Sequence, residues 1–214
     1  MSIQTFFPTR VYTGHLRGRQ RQSASAQKTW RNFNARLLQE CLQLREDDAA
    51  GRRWSRQHYP GGYTSYGSAA HMNLMSPVFA ALERQLNRHV KAFVRKLEWD
   101  MEGRTLAMTD CWVNIMPRHV VHGLHLHPLS SISGTYYVQT PKGAPGLKLE
   151  DPRLDRFMAA PPRKPDCRPE NRPWNVLPVE PGKFVLFESW LRHEVAPNPA
   201  PAERISISFN YGWF

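Results

Sequence analysis

Cysteine is scarce in this 214-residue chain. The three present (Cys41, Cys111, Cys167) are odd in number and form no CxxC, which argues against a disulfide scaffold or a cysteine-bound zinc. No apolar run approaches the roughly 18 residues of a membrane span, and mean hydropathy is −0.57. The opening MSIQTFFPTRVYTGHLRGRQRQ lacks the apolar stretch of about 7–15 residues found in a secretory leader. A cytoplasmic protein without a membrane partner is expected. Acidic residues are also in short supply, 18 Asp+Glu against 29 Lys+Arg, for a net charge of +11. What is plentiful is hydrophobic surface, 41% of residues, enough for a substantial core and against general disorder.

The excess positive charge is unevenly placed. Residues 1–100 carry 16 basic and 7 acidic side chains, whereas residues 101–214 carry 13 and 11. Such a half can signal nucleic acid, yet its pattern is helical. From Ser25 to Arg45, Trp30, Phe33, Leu37, Cys41 and Leu44 fall on one stripe, as in an amphipathic helix. Ser76 is a good N-cap and Pro77 a good first residue for a second helix, with its stripe at Phe79, Leu82, Leu86, Val90, Phe93 and Leu97. Arg84, Arg88, Lys91 and Arg95 lie off that stripe, so much of the charge is solvated helix face, and nucleic acid is not the expected partner. Between the helices, Gly51 to Ser68 reads as loop, with a short strand around Tyr63–Tyr66.

From Thr105 the period becomes two. Segments 105–116, 119–127, 132–140, 146–150, 175–180, 183–188, 192–196 and 203–213 are strand-like and punctuated by Gly or Pro. Eight short strands predict a mainly β protein with N-terminal helices (α+β), its core a jelly-roll or double-stranded β-helix of cupin type. The economical organisation is one domain, 1–214. A helical support region (1–104) precedes a β core (105–214) carrying a proline-rich inserted loop at 152–173, a candidate lid.

Four of nine histidines, His119, His122, His125 and His127, fall within nine residues. Side chains two apart on a strand share a face, so His125 and His127 can meet one ion, while a regular strand would turn His122 away. His193 is a third candidate donor. Three neutral nitrogens with open positions suit iron(II), with copper, nickel and zinc as alternatives. Eleven residues beyond His193 stands Arg204, and Ser206 shares its face. Together they can hold a carboxylate; an ordinary ion pair with Glu188 or Glu194 is the alternative.

This arrangement resembles the non-haem iron(II)/2-oxoglutarate-dependent oxygenase superfamily. The stretches FFPTRVY, GRRWSRQHYPGGYTSYGS, WVNIMPRHVVHGLHLHPLSSISGTYYVQTP, GLKLEDPR and LFESWLRHEVAPNPAPAERISISFNYGW resemble a bacterial and phage branch of it. The resemblance implies that His125, His127 and His193 ligate Fe(II). It also implies that Arg204, Ser206 and Tyr137 bind the far carboxylate of the cosubstrate 2-oxoglutarate, with O2 as oxidant. Most of the superfamily has Asp or Glu at the place of His127. The alternative is therefore that His127 stands behind the ligands and Asp151 or Glu188 completes the set.

Other positions read more plainly. Asn114 can line the pocket or be a structural amide, and Tyr63, Thr64 and Tyr66 can close over a substrate or pack on the barrel. Glu150, Asp151 and Arg153 suggest a local ion pair and turn. Trp112, Trp174, Trp190 and Trp213 suggest core or rim. The leading expectation is an oxygenase, a hydroxylase in the simplest case, acting on a small-molecule or amino-acid-type substrate, with oligomeric state open and a homodimer included. The competing readings are a three-histidine dioxygenase or isomerase that does not use 2-oxoglutarate, and a basic nucleic-acid-binding module.

Overall fold

The computed structural model describes residues 1–17, 23–153 and 158–214. Two antiparallel sheets face each other across a narrow interior, with a helical layer against the outer face of the larger. In chain order the elements are β1 (Val11–His15), α1 (Ala24–Asp47), α2 (Ala49–His58), β2 (Tyr63–Thr64), α3 (Met72–Met75) and α4 (Pro77–Leu97). There follow β3 (Leu106–Met116), β4 (His122–His125), β5 (Ile132–Gln139), β6 (Leu147–Glu150), β7 (Trp174–Leu177), β8 (Lys183–Glu188), β9 (His193–Val195) and β10 (Arg204–Trp213). The larger sheet runs β1-β8-β5-β10-β3-β2 and the smaller β4-β9-β6-β7, a double-stranded β-helix core. Each of the eight strands expected after residue 104 has its counterpart. Among the described residues, no helix is long and apolar enough to cross a membrane.

Alternation along the central strands builds two interiors at once. On β10, Ile205, Ile207, Phe209 and Tyr211 join one core cluster with Cys111, Val113 and Ile115 of β3 and Tyr136 of β5. Against them pack Leu37 and Cys41 of α1 and Phe79, Leu82, Leu86, Val90 and Phe93 of α4, the residues of the two apolar stripes. The opposite face of the sheet carries Trp112, Asn114, Thr135, Arg204, Ser206 and Ser208, which look into the barrel. Burial on both faces explains why β10 is inaccessible along nearly its whole length.

Helix starts follow the capping chemistry. The Ser76 hydroxyl accepts from the backbone N–H groups of Val78 and Phe79 at 3.2 and 3.4 Å, with Pro77 in the first turn. The expected loop over Gly51–Ser68 is corrected in its first part, since residues 51–58 belong to α2. Asp48 caps that helix by accepting from Gly51 N–H at 2.7 Å. A Cβ on Gly51 would lie 1.9 Å from the same carboxylate, so this glycine admits a cap and does not break the helix. The short strand is present as β2, paired with Ile115 and Asn114 of β3. β1, not anticipated in the sequence, adds an edge strand beside β8, so the N-terminal region supplies two strands as well as helices.

Of the inserted loop, residues 154–157, including Arg156, lie outside the described residues. Its described remainder is largely irregular, with a 3₁₀ turn at Pro169–Asn171. Asp151 receives Arg153 at 2.9 Å, the local pair expected of that segment.

Leu82, fully buried between helix and sheet, should cost about 2–5 kcal/mol when replaced by Ala. Exposed Arg84, on the other side of the same helix, should cost under about 0.5 kcal/mol. Urea unfolding of Leu82→Ala and Arg84→Ala checks the contrast; similar losses would contradict the assignment of the stripe.

Candidate active site

β4 and β9 pair so that His125 stands directly opposite His193. The chain beyond β4 stays alongside, with His127 N–H donating to the Ser189 carbonyl at 3.0 Å. Three imidazoles thereby converge. Ring centres lie 4.3 Å apart for His125 and His193, 5.2 Å for His125 and His127, and 5.1 Å for His127 and His193. Their potential ligand atoms all fall within 4.8 Å of one another. Nε2 of His127 and Nε2 of His193 are 3.3 Å apart, close to the roughly 3 Å expected of neighbouring nitrogens on one ion.

The backbone aims two of these rings. Nδ1 of His125 lies 2.7 Å from the Gly123 carbonyl and Nδ1 of His193 lies 2.9 Å from that of Leu191. A carbonyl only accepts, so both Nδ1 atoms carry the proton and both Nε2 lone pairs are left for a cation. His127 is held by a hydrogen bond to the Asn210 side chain and by Trp112, its ring centre 5.6 Å away. Asn210 is itself fixed, donating to Asp110 at 3.3 Å and accepting from the Ser133 hydroxyl at 2.8 Å. Asn210, Asp110 and Ser133 were not anticipated. Their alternation with the apolar residues of β10, β3 and β5 is the signal that could have found the supporting network.

Burial, reinforced by the neighbouring His125 ring, pushes His193 down to about 2 and His127 down to about 4. Burial lowers His125 too. At neutral pH all three are unprotonated, the form a metal requires.

His122 corrects the expectation of a regular strand. The β4–β9 register steps three residues from His122 to His125 against two from Val195 to His193. This bulge turns His122 to the same side. Its ring stacks on His125 with centres 4.7 Å apart, packs on Tyr59, and lines the cavity. Burial, with His125 beside it, pushes it down to about 3.

The far wall belongs to β10. Arg204 is 4% exposed, and among the described residues it makes no ion pair. The two carboxylates weighed as its partners are not there: Glu194 pairs with Lys148 at 2.7 Å, and Glu188 does not line the cavity. One Arg204 nitrogen donates to Ser206 Oγ at 3.3 Å while Nε has no partner. The guanidinium stands 5.1 Å from the centre of the Tyr137 ring, whose buried hydroxyl it also approaches. Ser206 lies between Tyr137 of β5 and Asn114 of β3 in register. Asn114 donates to Ser208 at 3.0 Å and leaves its carbonyl oxygen unpaired. A buried cation with an orphaned N–H is costly unless an anion meets it, and Arg204 with the Ser206 and Tyr137 hydroxyls makes a donor set that fits a carboxylate.

Outside the imidazoles a wider cleft of about 400 Å³ opens, to which Thr64 and Tyr66 contribute. Tyr63 does not, its hydroxyl donating to Asp48 at 2.9 Å. Asp151 is engaged by Arg153 and Glu150 by Arg192 at 3.0 Å. The sole group of potential metal ligands among the described residues is His125, His127 and His193.

Residues 110–210 match a family model described as "Putative 2OG-Fe(II) oxygenase". No curated protein sequence matches the chain. Among solved structures it is similar to a prolyl-4-hydroxylase from Pseudomonas putida, at 13% identity over 95% of this chain and 92% of that one, with a TM-score of 0.55. It is also similar to SnoN, a non-haem α-ketoglutarate-dependent epimerase from nogalamycin biosynthesis, at 15% identity over 85% and 72%, TM-score 0.55. An oxidoreductase of the 2OG-Fe(II) oxygenase family from Burkholderia pseudomallei matches at 21% identity over 51% of this chain, TM-score 0.38. The chain spans 46% of that protein's length.

The histidine cluster fixes the sign of a pH effect. These rings are neutral when folded, with values far below the ordinary 6.5, so the unfolded chain binds more protons as pH falls below 6.5. Their stability contribution in the metal-free protein is therefore full above about pH 6.5. It declines on acidification, by up to roughly 1.4 kcal/mol per pH unit for each ring. Urea midpoints between pH 8 and 5 should fall, and His193→Gln should flatten the fall; an unchanged slope in the variant would contradict the assignment.

Proposed function

We propose that the chain, whose residues 110–210 match a 2OG-Fe(II) oxygenase family model, is an iron(II)/2-oxoglutarate-dependent oxygenase in which His125, His127 and His193 hold the ferrous ion and Arg204, Ser206 and Tyr137 seat the far carboxylate of 2-oxoglutarate. The observation that carries this reading is the buried, uncompensated Arg204 facing the same narrow cavity as three neutral imidazoles. Iron(II), when bound, supplies the redox chemistry by which 2-oxoglutarate, O2 and a substrate C–H become succinate, CO2 and, in the simplest outcome, C–OH.

The protein's own part is placement. Carbonyls of Gly123 and Leu191 hold two imidazoles in the ligating tautomer, and the Asn210 network steadies the third. Arg204 supplies the charge that meets the cosubstrate and Ser206 and Tyr137 add hydrogen bonds, fixing how far its other end reaches towards the histidines. Phe187, packed edge-on to His193 with ring centres 4.7 Å apart, and Leu147 and Val195 in the cavity wall exclude water. Histidine in place of the usual carboxylate makes the ferrous site one unit more positive, which favours an anionic cosubstrate. No general base is needed for C–H oxidation of this kind. The whole chain acts as one oxygenase domain on a small-molecule or amino-acid-type substrate.

The all-histidine ligand set also favours a second reading, a dioxygenase that does not use 2-oxoglutarate. Arg204→Met separates the two. Under the oxygenase reading it should weaken 2-oxoglutarate binding to metal-loaded protein by on the order of 10²–10³-fold, measured calorimetrically without oxygen, with metal binding retained. Because it removes an unpaired buried cation, it should not lower the urea midpoint of the ligand-free protein. Wild-type protein loaded with Fe(II) and then exposed to air should form succinate. Absence of both metal-dependent 2-oxoglutarate binding and turnover would overturn the proposal.

A further inference from the structure

We infer that the outer cleft beside His125 and His127 receives an uncharged, ring-bearing part of the substrate, laid along a wall formed by Trp54, Tyr66 and Trp112. This rests on the oxygenase reading and specifies the substrate class that the site would take. The wall is continuous. Trp54 and Tyr66 meet edge to face with ring centres 6.3 Å apart, and Tyr66 meets Trp112 in the same way at 5.1 Å. Trp112 then reaches His127 at 5.6 Å. A flat group along these rings is led from the rim, where Tyr66 is half exposed, to the edge of the histidine triad.

Charge decides the class. Although 47 of the 214 residues are Asp, Glu, Lys or Arg, none of the described residues lining this cleft is one of them. An anionic group would find no guanidinium or ammonium, in contrast to the inner cavity with Arg204. A cationic group would find aromatic faces but no carboxylate among the described lining residues. Apolar side chains complete the lining: Val121 and Leu126 line the cleft and remain 50% and 39% exposed. The volume, about 400 Å³, suits one or two rings with their substituents.

The wall is held in place locally. Trp54 stacks on His58 with centres 4.2 Å apart, and the chain passes so close at Gly67 that a Cβ there would lie 2.5 Å from the indole. Part of the Gly/Tyr/Ser-rich segment thus serves to press Trp54 into position.

The test uses 5-fluoroindole, a neutral ring, followed by ¹⁹F NMR with protein loaded with Mn(II) or, as a diamagnetic control, Zn(II), each with 2-oxoglutarate. The expected result is line broadening with the Zn(II) protein and strong additional relaxation with Mn(II), which places the ring near the triad. Trp54→Ala and the rim variant Tyr66→Ala should each weaken binding about five- to tenfold, and neither tetramethylammonium nor benzoate should compete. Tyr66 is exposed enough for its variant to remain folded if Trp54→Ala does not. Broadening without Mn(II) relaxation, affinity unchanged in a folded variant, or displacement by tetramethylammonium would overturn this inference while leaving the oxygenase reading intact. Failure to bind Mn(II) or 2-oxoglutarate, measured separately by calorimetry, would overturn both.

Discussion

The structure depends on burying both faces of one sheet. Strand β10 sends Ile205, Ile207, Phe209 and Tyr211 to a helical layer and Arg204, Ser206, Ser208 and Asn210 into the barrel. An apolar outer face cannot stand in water, so α1 and α4 are required for the sheet to exist at all. With that face covered, the inner face is free to be polar, and the polar inner face is where the proposed chemistry sits. Helical half and β half are thus two sides of one packing problem. The basic charge of residues 1–100 is largely the solvated outside of the layer that solves it.

A second constraint acts at the mouth. One extra residue in β4 relative to β9 brings His122 round to the side of His125 while leaving His125 opposite His193. Regular pairing would have made a two-histidine strand, whereas the bulge makes a four-imidazole cluster with three members able to share an ion. The same bulge sets His122 in both the inner cavity and the outer cleft. The proposed cosubstrate seat and the inferred substrate cleft therefore meet along one wall of rings.

Much of this was legible in the sequence because it is periodic. The stripes of α1 and α4, the Ser76-Pro77 start and the eight strands of the β half are local patterns with one physical interpretation each. His125, His127, His193, Arg204 and Ser206 could be grouped because alternation and distance along the chain put them on common faces. Tyr137 entered through family resemblance, since alternation alone gives no reason to choose it over Tyr136, which faces the helices. What escaped was set by tertiary contacts. β1 is strand because β8, some 170 residues later, offers it an edge. Gly51 reads as a breaker until Asp48 and Ser68 are seen to fill the space its side chain leaves. His122 departs from strand alternation because of the β4 bulge, which has no signature in a single sequence.

The proposed function depends on one cavity joining a three-histidine metal site to a carboxylate seat at Arg204. Anomalous diffraction at the metal edge, from crystals grown without oxygen with Fe(II) or Mn(II) and 2-oxoglutarate, tests it most directly. The expected result is a single ion bound by Nε2 of His125, His127 and His193, with the far carboxylate of 2-oxoglutarate on Arg204, Ser206 and Tyr137. An ion ligated by Asp151 or Glu188 in place of His127, or 2-oxoglutarate bound away from Arg204, would contradict it.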